Sequence, residues 1–501
     1  MNTNYFFESL QYLRPEMAIT LFLVVVLSFD LAFPKSKKVL SYLTALGILV
    51  AGGFAVNDYL TIQRSIPLMT AAPRLPIASY DALGIFFKIL ILFSSFFIVI
   101  FSEKSKELKE CLDRFGEYYS LMLGMILGML LLVCATDFLL IYLSLELVSL
   151  SSYVLAGFLK NSKKSSEASL KYVIFGGVAS GIMLFGISIL YGMTASTNIF
   201  VIAGKLAFST NPILSVLVAL MVFTGIGYKI SSVPFHFWTP DVYEGSPITI
   251  TAFLSVASKA AGFALLIRFI RTVYPIDVFF IQLGGYSVHW KEIIMYLSIM
   301  TMTLGNLSAL WQDNMKRMLA FSSIAHAGYL MTALTTMNTP GIIAILIYLA
   351  VYIVMNLGAF FVVMLIKNEI NSEHIDDYNG LGYKMPFYGV MLSIFLVSLT
   401  GLPPTAGFIG KLYLFTALLE SHMVTLSLIA LLNSVISLYY YIRVLKHMYL
   451  KGGNDPDSRV SVSTSNIVVT LALAIPIIVL GIYFSPLLEF AKNSATMLGV
   501  K

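Results

Sequence analysis

Between residues 17 and 486 the chain is a succession of apolar runs, most of them roughly 17 to 25 residues long, the length that carries an α-helix across a ~30 Å hydrocarbon layer. Runs of that kind leave little choice of fold. In lipid every backbone N–H and C=O must be satisfied internally, which only helices and closed barrels achieve. A barrel strand would show short segments of alternating polarity, and these runs are unbroken. With 58% hydrophobic and 12% charged residues and a mean hydropathy of +0.86, the chain is composed for lipid rather than water. The fold class is an all-α polytopic membrane protein.

The runs fall at 17–33, 39–60, 80–101, 118–134, 137–159, 165–192, 212–232, 247–271, 292–312, 317–336, 341–366, 386–420, 424–448 and 466–486, which predicts about fourteen transmembrane helices. Loop charges follow that count. Lys35, Lys37 and Lys38 follow helix 1, and Lys104, Lys106, Lys109 and Arg114 follow helix 3. Lys160, Lys163 and Lys164 follow helix 5, Lys316 and Arg317 follow helix 9, and Arg443, Lys446, Lys451 and Arg459 surround the exit of helix 13. By the positive-inside rule both termini then lie on the non-cytoplasmic side. The loop after helix 8, with Arg268, Arg271 and Lys291, runs against this alternation. The net charge of +6 therefore speaks of orientation in the membrane, not of nucleic acid.

Several activities are disfavoured. Cys111 and Cys134 are too few to hold an iron–sulfur cluster or a structural zinc. Gly225 and Gly227 begin a dinucleotide fingerprint, but Ile230 stands where its third glycine belongs, and no Walker motif occurs. Met1 to Glu16 has no apolar core of its own, so it does not read as a cleavable signal. No cofactor is expected in this chain.

Two runs do not behave as straight spans. Gly225 to Pro247 contains three prolines (Pro234, Pro240 and Pro247) and a run of polar groups, and Leu399 to Lys411 contains Pro403 and Pro404 inside an apolar stretch too long for one helix. Proline removes a donor and clashes with the preceding turn, so helices 7 and 12 are expected to be broken. Broken helices at membrane depth persist only where they are buried in protein or line a wet cavity. The breaks lie five helices apart, and an odd offset inverts orientation, which predicts an inverted repeat of helices 4–8 and 9–13. The expected organisation is 1–116 for helices 1 to 3, 117–272 for the first five-helix repeat, 286–450 for the second, and 451–501 for helix 14. Lys229 precedes Pro234 whereas Lys411 follows Pro404, so the internal similarity is expected to be architectural rather than literal.

Charges inside the apolar runs point to chemistry. Glu146, Lys171, Lys229, Lys259, His326 and Lys411 each interrupt one. At ~2.5 to 3.5 kcal/mol per charge near a helix centre, they must pair, hydrate or neutralise. Polar residues recur on their faces: Tyr142, Glu146, Ser149 and Tyr153 on helix 5; Thr251, Ser255, Lys259 and Gly262 on helix 8; Ser322, His326 and Tyr329 on helix 10. Helix 13 adds Asn433, Ser437 and Tyr440 or Tyr441. Such stripes can hold a file of waters. A desolvated lysine gives up its proton more readily and a nearby carboxylate restores its hold, so Lys229 and Lys411 are candidate proton switches, with Lys259 and His326 as relays. Lys171 is either a second partner for Glu146 or a lysine that snorkels, and Lys88 in helix 3 is expected to snorkel. His236, Asp241 and Glu244 are candidates for proton uptake or gating, with an interfacial role alongside Trp238 equally open.

These features together resemble a family: the antiporter-like subunits of respiratory complex I and of the multisubunit cation/proton antiporters. The resemblance covers most of the chain. Val233-Pro-Phe-His-Phe-Trp-Thr-Pro-Asp-Val-Tyr-Glu-Gly-Ser-Pro247, followed by Phe253 to Lys259, looks most like the subunit N (subunit 2) branch, and Gly401-Leu-Pro-Pro-Thr-Ala-Gly-Phe-Ile-Gly-Lys411 agrees. It implies a membrane subunit of a proton-translocating NADH:quinone oxidoreductase or its ferredoxin-linked relative. NAD, flavin, iron–sulfur clusters and quinone would then be handled by partner subunits. It implies Glu146 paired to Lys229, Lys411 as the exit-side lysine, and as neighbours other antiporter-like and small membrane subunits, lipid, and quinone through the complex. The membrane would be a bacterial inner membrane or its organellar equivalent. The chain stops near Lys501 without the long lateral helix of some siblings, which also fits subunit N. Two alternatives stay open: a cation/proton antiporter subunit driven by a sodium or potassium gradient, and a passive structural subunit whose charges lock helices together.

Overall fold

The computed structural model describes residues 8–68, 76–206, 212–274, 280–283, 286–336, 338–452 and 462–497. Arg459 and Lys501 lie outside them. The membrane helices are α1 (Arg14–Ala32), α2 (Lys37–Thr61), α3 (Ala82–Lys104), α4 (Phe115–Cys134), α5 (Phe138–Ala156), α6 (Lys163–Thr194), the two halves of α7 (Pro212–Ile230 and Trp238–Gly245), and α8 (Ile248–Thr272). They continue with α9 (Trp290–Leu310), α10 (Met315–Leu334), α11 (Thr339–Ile370), the two halves of α12 (Pro386–Thr400 and Ala406–Glu420), α13 (Val424–Leu450) and α14 (Thr464–Ile482). Two short antiparallel hairpins, β1 (Ile66–Leu68) with β2 (Ala78–Tyr80) and β3 (Phe280–Leu283) with β4 (Tyr286–His289), lie outside the spans.

Among the described residues twelve helices are long and apolar enough to cross a membrane. The two expected spans that do not meet that description are α10, made polar by Ser322, Ser323 and His326, and α12, divided by its prolines. Several helices start where an Asp or Asn side chain accepts an otherwise orphaned N–H: Asp81 from Gly84, Asp137 from Leu139, Asn314 from Arg317 and Asn338 from Gly341.

The core is built around α8 and α11, whose most apolar windows are 100% and 94% buried within the chain, while α1 and α14 stand at 28% and turn most of their surface outward. Apolar residues all round are what such central helices require. Packing repeats with a period of five helices. In the first set α4 packs on α5, α5 on α6, α6 on both halves of α7, and α7 on α8. In the second, α9 packs on α10, α10 on α11, α11 on both halves of α12, and α12 on α13.

The breaks correspond residue by residue, more closely than the sequence led us to expect. In α7, Ser231 adopts a left-handed conformation (φ 62°) and the Ser232 N–H donates to the Gly227 carbonyl. In α12, Gly401 does the same (φ 87°) and the Leu402 N–H donates to the Val397 carbonyl. Both are Schellman caps, which close a helix by satisfying its last carbonyls. Three residues after each left-handed residue comes a cis proline, Pro234 in one break and Pro404 in the other. At the same spacing beyond the cap, α7 carries Asp241 where α12 carries Lys411.

Buried ion pairs fasten the helices. Arg268 does not belong to the loop expected after helix 8. It lies within α8 and forks onto both carboxylate oxygens of Asp81 at 2.8 and 3.0 Å, with a third bond to the Val133 carbonyl at 2.9 Å. Its removal from the loop weakens the apparent exception to the charge alternation. Lys88 does not snorkel either, because it is buried against Glu16 of α1 at 2.6 Å.

Candidate functional site

Taken in chain order, the membrane-buried charges make a row of side chains on α5, α7, α8, α10 and α12. At its start, Lys229 lies in the last turn of the first half of α7, and its Nζ is 3.5 Å from Ser149 Oγ on α5. Glu146 is one turn away on α5, within electrostatic reach of Lys229 but without an ion pair to it at 4 Å or less. Its Oε1 is buried with no hydrogen-bond partner. The expected Glu146–Lys229 pair is thus a proximity rather than a contact.

Lys259 comes next, directly after the one π-turn among the described residues, Leu254–Ser258. Its Nζ donates to the carbonyl (2.6 Å) and hydroxyl (2.9 Å) of Ser323 on α10. The expected single stripe of Thr251, Ser255, Lys259 and Gly262 does not form, because the extra residue of a π-turn rotates everything beyond it. Thr251 bonds to the Tyr243 carbonyl and Ser255 meets α11. Gly262 backs onto Lys229, where a Cβ would come within 2.7 Å of Ile230 and 3.5 Å of the lysine stem.

One turn along α10 from Ser322, His326 is held between two phenols: Nδ1 is 2.5 Å from Tyr348 OH on α11, and Nε2 is 3.2 Å from Tyr441 OH on α13. Tyr441 is also hydrogen-bonded to Ser322. Lys411 closes the row. Its Nζ donates to the Thr400 carbonyl at 2.7 Å and Ser434 Oγ at 2.8 Å, and lies 4.8 Å from the centre of the Tyr329 ring. Tyr329 in turn accepts from Asn306, which also bonds Asn433 and Tyr440. The polar faces expected on helices 10 and 13 therefore meet each other.

The remaining candidates lie elsewhere. Lys171 is 36% exposed in its side chain and pairs with Asp241 at 2.6 Å and Glu167 at 2.7 Å, so it is not a partner of Glu146. Asp241 and Glu244 also receive Arg317 of α10 at 2.7 and 3.0 Å, and Glu244 binds Lys164 at 2.9 Å. This net ties the second half of α7 to α6 and α10. His236 is buried in the α7 break with Nδ1 unpartnered. Pro234, Pro403 and Pro404 sit in the two breaks, as expected.

Sequence reasoning missed Ser323, Tyr348, Tyr352 and Asn356, which carry no charge and so leave no mark on an apolar run. Among the described residues no group of three or more His, Cys, Asp or Glu side chains could hold a metal ion, and both cysteines are free.

Residues 135–437 match the family model described as NADH:quinone oxidoreductase/Mrp antiporter, transmembrane. NADH-quinone oxidoreductase subunit N 2 of Chloroherpeton thalassium is 44% identical over 491 residues, covering 97% of this chain and 94% of that protein. Subunit N of Chlorobium chlorochromatii is 42% identical over 502 residues, covering 98% and 96%. A chain of respiratory complex I from Thermus thermophilus with bound aureothin superposes with a TM-score of 0.77 at 28% identity, covering 95% of this chain and 99% of that one. Similarity of this extent, over the segment that contains both helix breaks and every buried charge of the row, places the chain in the NADH:quinone oxidoreductase/Mrp antiporter family of membrane subunits.

Proposed function

We propose that this chain is a proton-translocating membrane subunit of an NADH:quinone oxidoreductase, moving protons along Glu146, Lys229, Lys259, His326 and Lys411. Electrons would pass from NADH to quinone through flavin and iron–sulfur centres in partner subunits.

The observation that carries this reading is a division among the buried cations. Lys88, Lys316 and Arg268 each contact a carboxylate directly. Lys229, Lys259 and Lys411 contact only hydroxyls, backbone carbonyls and an aromatic face. A lysine clamped to a carboxylate is a fixed charge, since removing its proton strands a buried anion. Neutral partners impose no such penalty, so those three lysines can alternate between charged and neutral forms. Alternation along a series of such lysines is what proton transfer requires. Each proton moved against a ~100 mV potential needs ~2.3 kcal/mol, which quinone reduction elsewhere in the complex would deliver.

The same reading divides the chain into 1–116, the repeats 117–272 and 286–450, and 451–501. It puts both termini on the non-cytoplasmic face of a bacterial inner membrane or its organellar equivalent, among neighbouring antiporter-like and small membrane subunits. Lys171 and its carboxylates then act as a brace for α7 rather than as carriers.

The test is proton pumping and quinone reduction in membranes carrying Lys229→Met, with assembly followed on a native gel. Assembled complex in which both activities fall together, by roughly tenfold or more, is the expected result. Assembled complex in which both persist would make the lysine a structural element and end the proton-path reading. Activity that depends on sodium would transfer the chain to the antiporter branch of the family.

A further inference from the structure

We propose that Asn356 is a positioning residue: through Ser255 it holds the π-turn of α8 in place, and so aims Lys259 at Ser323 of α10. The claim rests on the reading of Lys259 as a proton carrier.

Asn356 lies within α11, the long apolar helix of the core, and is only 1% exposed. An amide buried there is unfavourable unless its groups are hydrogen-bonded. Its Nδ2 donates to Ser255 Oγ and to Tyr352 OH, both at 2.9 Å. Ser255 is the second residue of the π-turn, and its hydroxyl donates onward to the Ala252 carbonyl at 2.7 Å. The amide thus grips the turn at its irregular point. In a straight α-helix Lys259, four residues on, would lie about 40° to one side of Ser255. The extra residue of the π-turn rotates the following segment by about 100°, and Lys259 meets the carbonyl and hydroxyl of Ser323 instead. Tyr352, the second acceptor of the amide, has its ring centre 5.1 Å from that of His326. One side chain therefore steadies the surroundings of two neighbouring members of the row.

The experiment compares Asn356→Leu, Ser255→Ala and the double variant in intact complex, reading proton pumping, quinone reduction and the amount assembled. Asn356→Leu should lower the coupled rate about threefold to tenfold, the range of one lost buried hydrogen bond, at a normal level of assembly. Ser255→Ala should do the same, and the double variant should be no worse than either single one, because both act through one contact. Asn356→Gln, which keeps an amide able to donate to both hydroxyls, should retain more of the rate than Asn356→Leu. Full activity of Ser255→Ala, or losses that add in the double variant, would overturn the proposal. Lys259→Met separates the two levels. If it abolishes pumping while Asn356→Leu and Ser255→Ala leave the rate unchanged, only the positioning role fails; if it leaves pumping intact, the proton reading of Lys259 fails as well.

Discussion

Gly401 shows how narrowly a single position can be set. At φ 87° only glycine is comfortable, and a Cβ there would come within 2.7 Å of Lys411 Cδ. Gly401→Ala should therefore destabilise the protein by about 1 to 3 kcal/mol and displace the lysine. A lower unfolding temperature together with reduced pumping is the expected outcome; an unchanged pair of measurements would show that α12 can re-close its break without glycine. Ser231 occupies the equivalent place in α7 with a side chain, so Ser231→Gly should leave stability unchanged or raise it. Charged residues were legible from the sequence because an apolar run makes any charge conspicuous. That is why Glu146, Lys229, Lys259, His326 and Lys411 were found. The same signal left Lys171 open between a partner for Glu146 and a lysine that reaches for water; α6 begins at Lys163 and places it, part-exposed, beside Asp241. It also could not tell Lys88, which has a partner in α1, from a lysine that reaches for water.

At the scale of elements, the helix breaks were legible because proline acts through local sterics that need no knowledge of the fold. The π-turn was not, because Leu254–Ser258 contains no residue that forbids an α-helix, and what stabilises it comes from α10 and α11. Ion pairs between elements were equally hidden, since they join residues far apart in sequence. Glu16 and Lys88 supply a direct test of their role in fastening α1 to α3. Lys88→Met leaves a buried carboxylate without its cation and should cost about 3 to 5 kcal/mol, whereas adding Glu16→Gln to it should recover much of that loss. Thermal unfolding of the purified complex is the readout. Equal destabilisation by the single and double variants would mean that the pair contributes packing and little else.

Across the whole molecule, a knot of charge joins the parts outside the membrane. Glu373, in the loop between α11 and α12, binds Lys316 at the start of α10 at 3.0 Å and Lys367 at the end of α11 at 2.6 Å, and Lys367 also binds Glu107 beyond α3. Burial alone would raise the pKa of Glu373, but the two lysines outweigh it and hold the carboxyl at about 2. Its folded-state value lies below the ordinary 4.5, so its contribution is fully present above that pH and is lost as pH falls toward 2. About 2 kcal/mol should be lost between pH 6 and pH 3, and the loss should be absent in Glu373→Gln, as unfolding temperatures over that range would show. A flat profile in the unaltered protein would mean that the knot is not under strain from acid. The inner row obeys a different rule, and Lys411 makes it plain. What faces that ammonium is the carbonyl end of a half-helix, a partial negative charge assembled from aligned peptide dipoles. Such a counter-ion has no proton to gain, and acid cannot remove it. The counter-charge facing Lys411 therefore changes when the two halves of α12 move relative to one another, which ties this lysine's hold on its proton to the shape of the break.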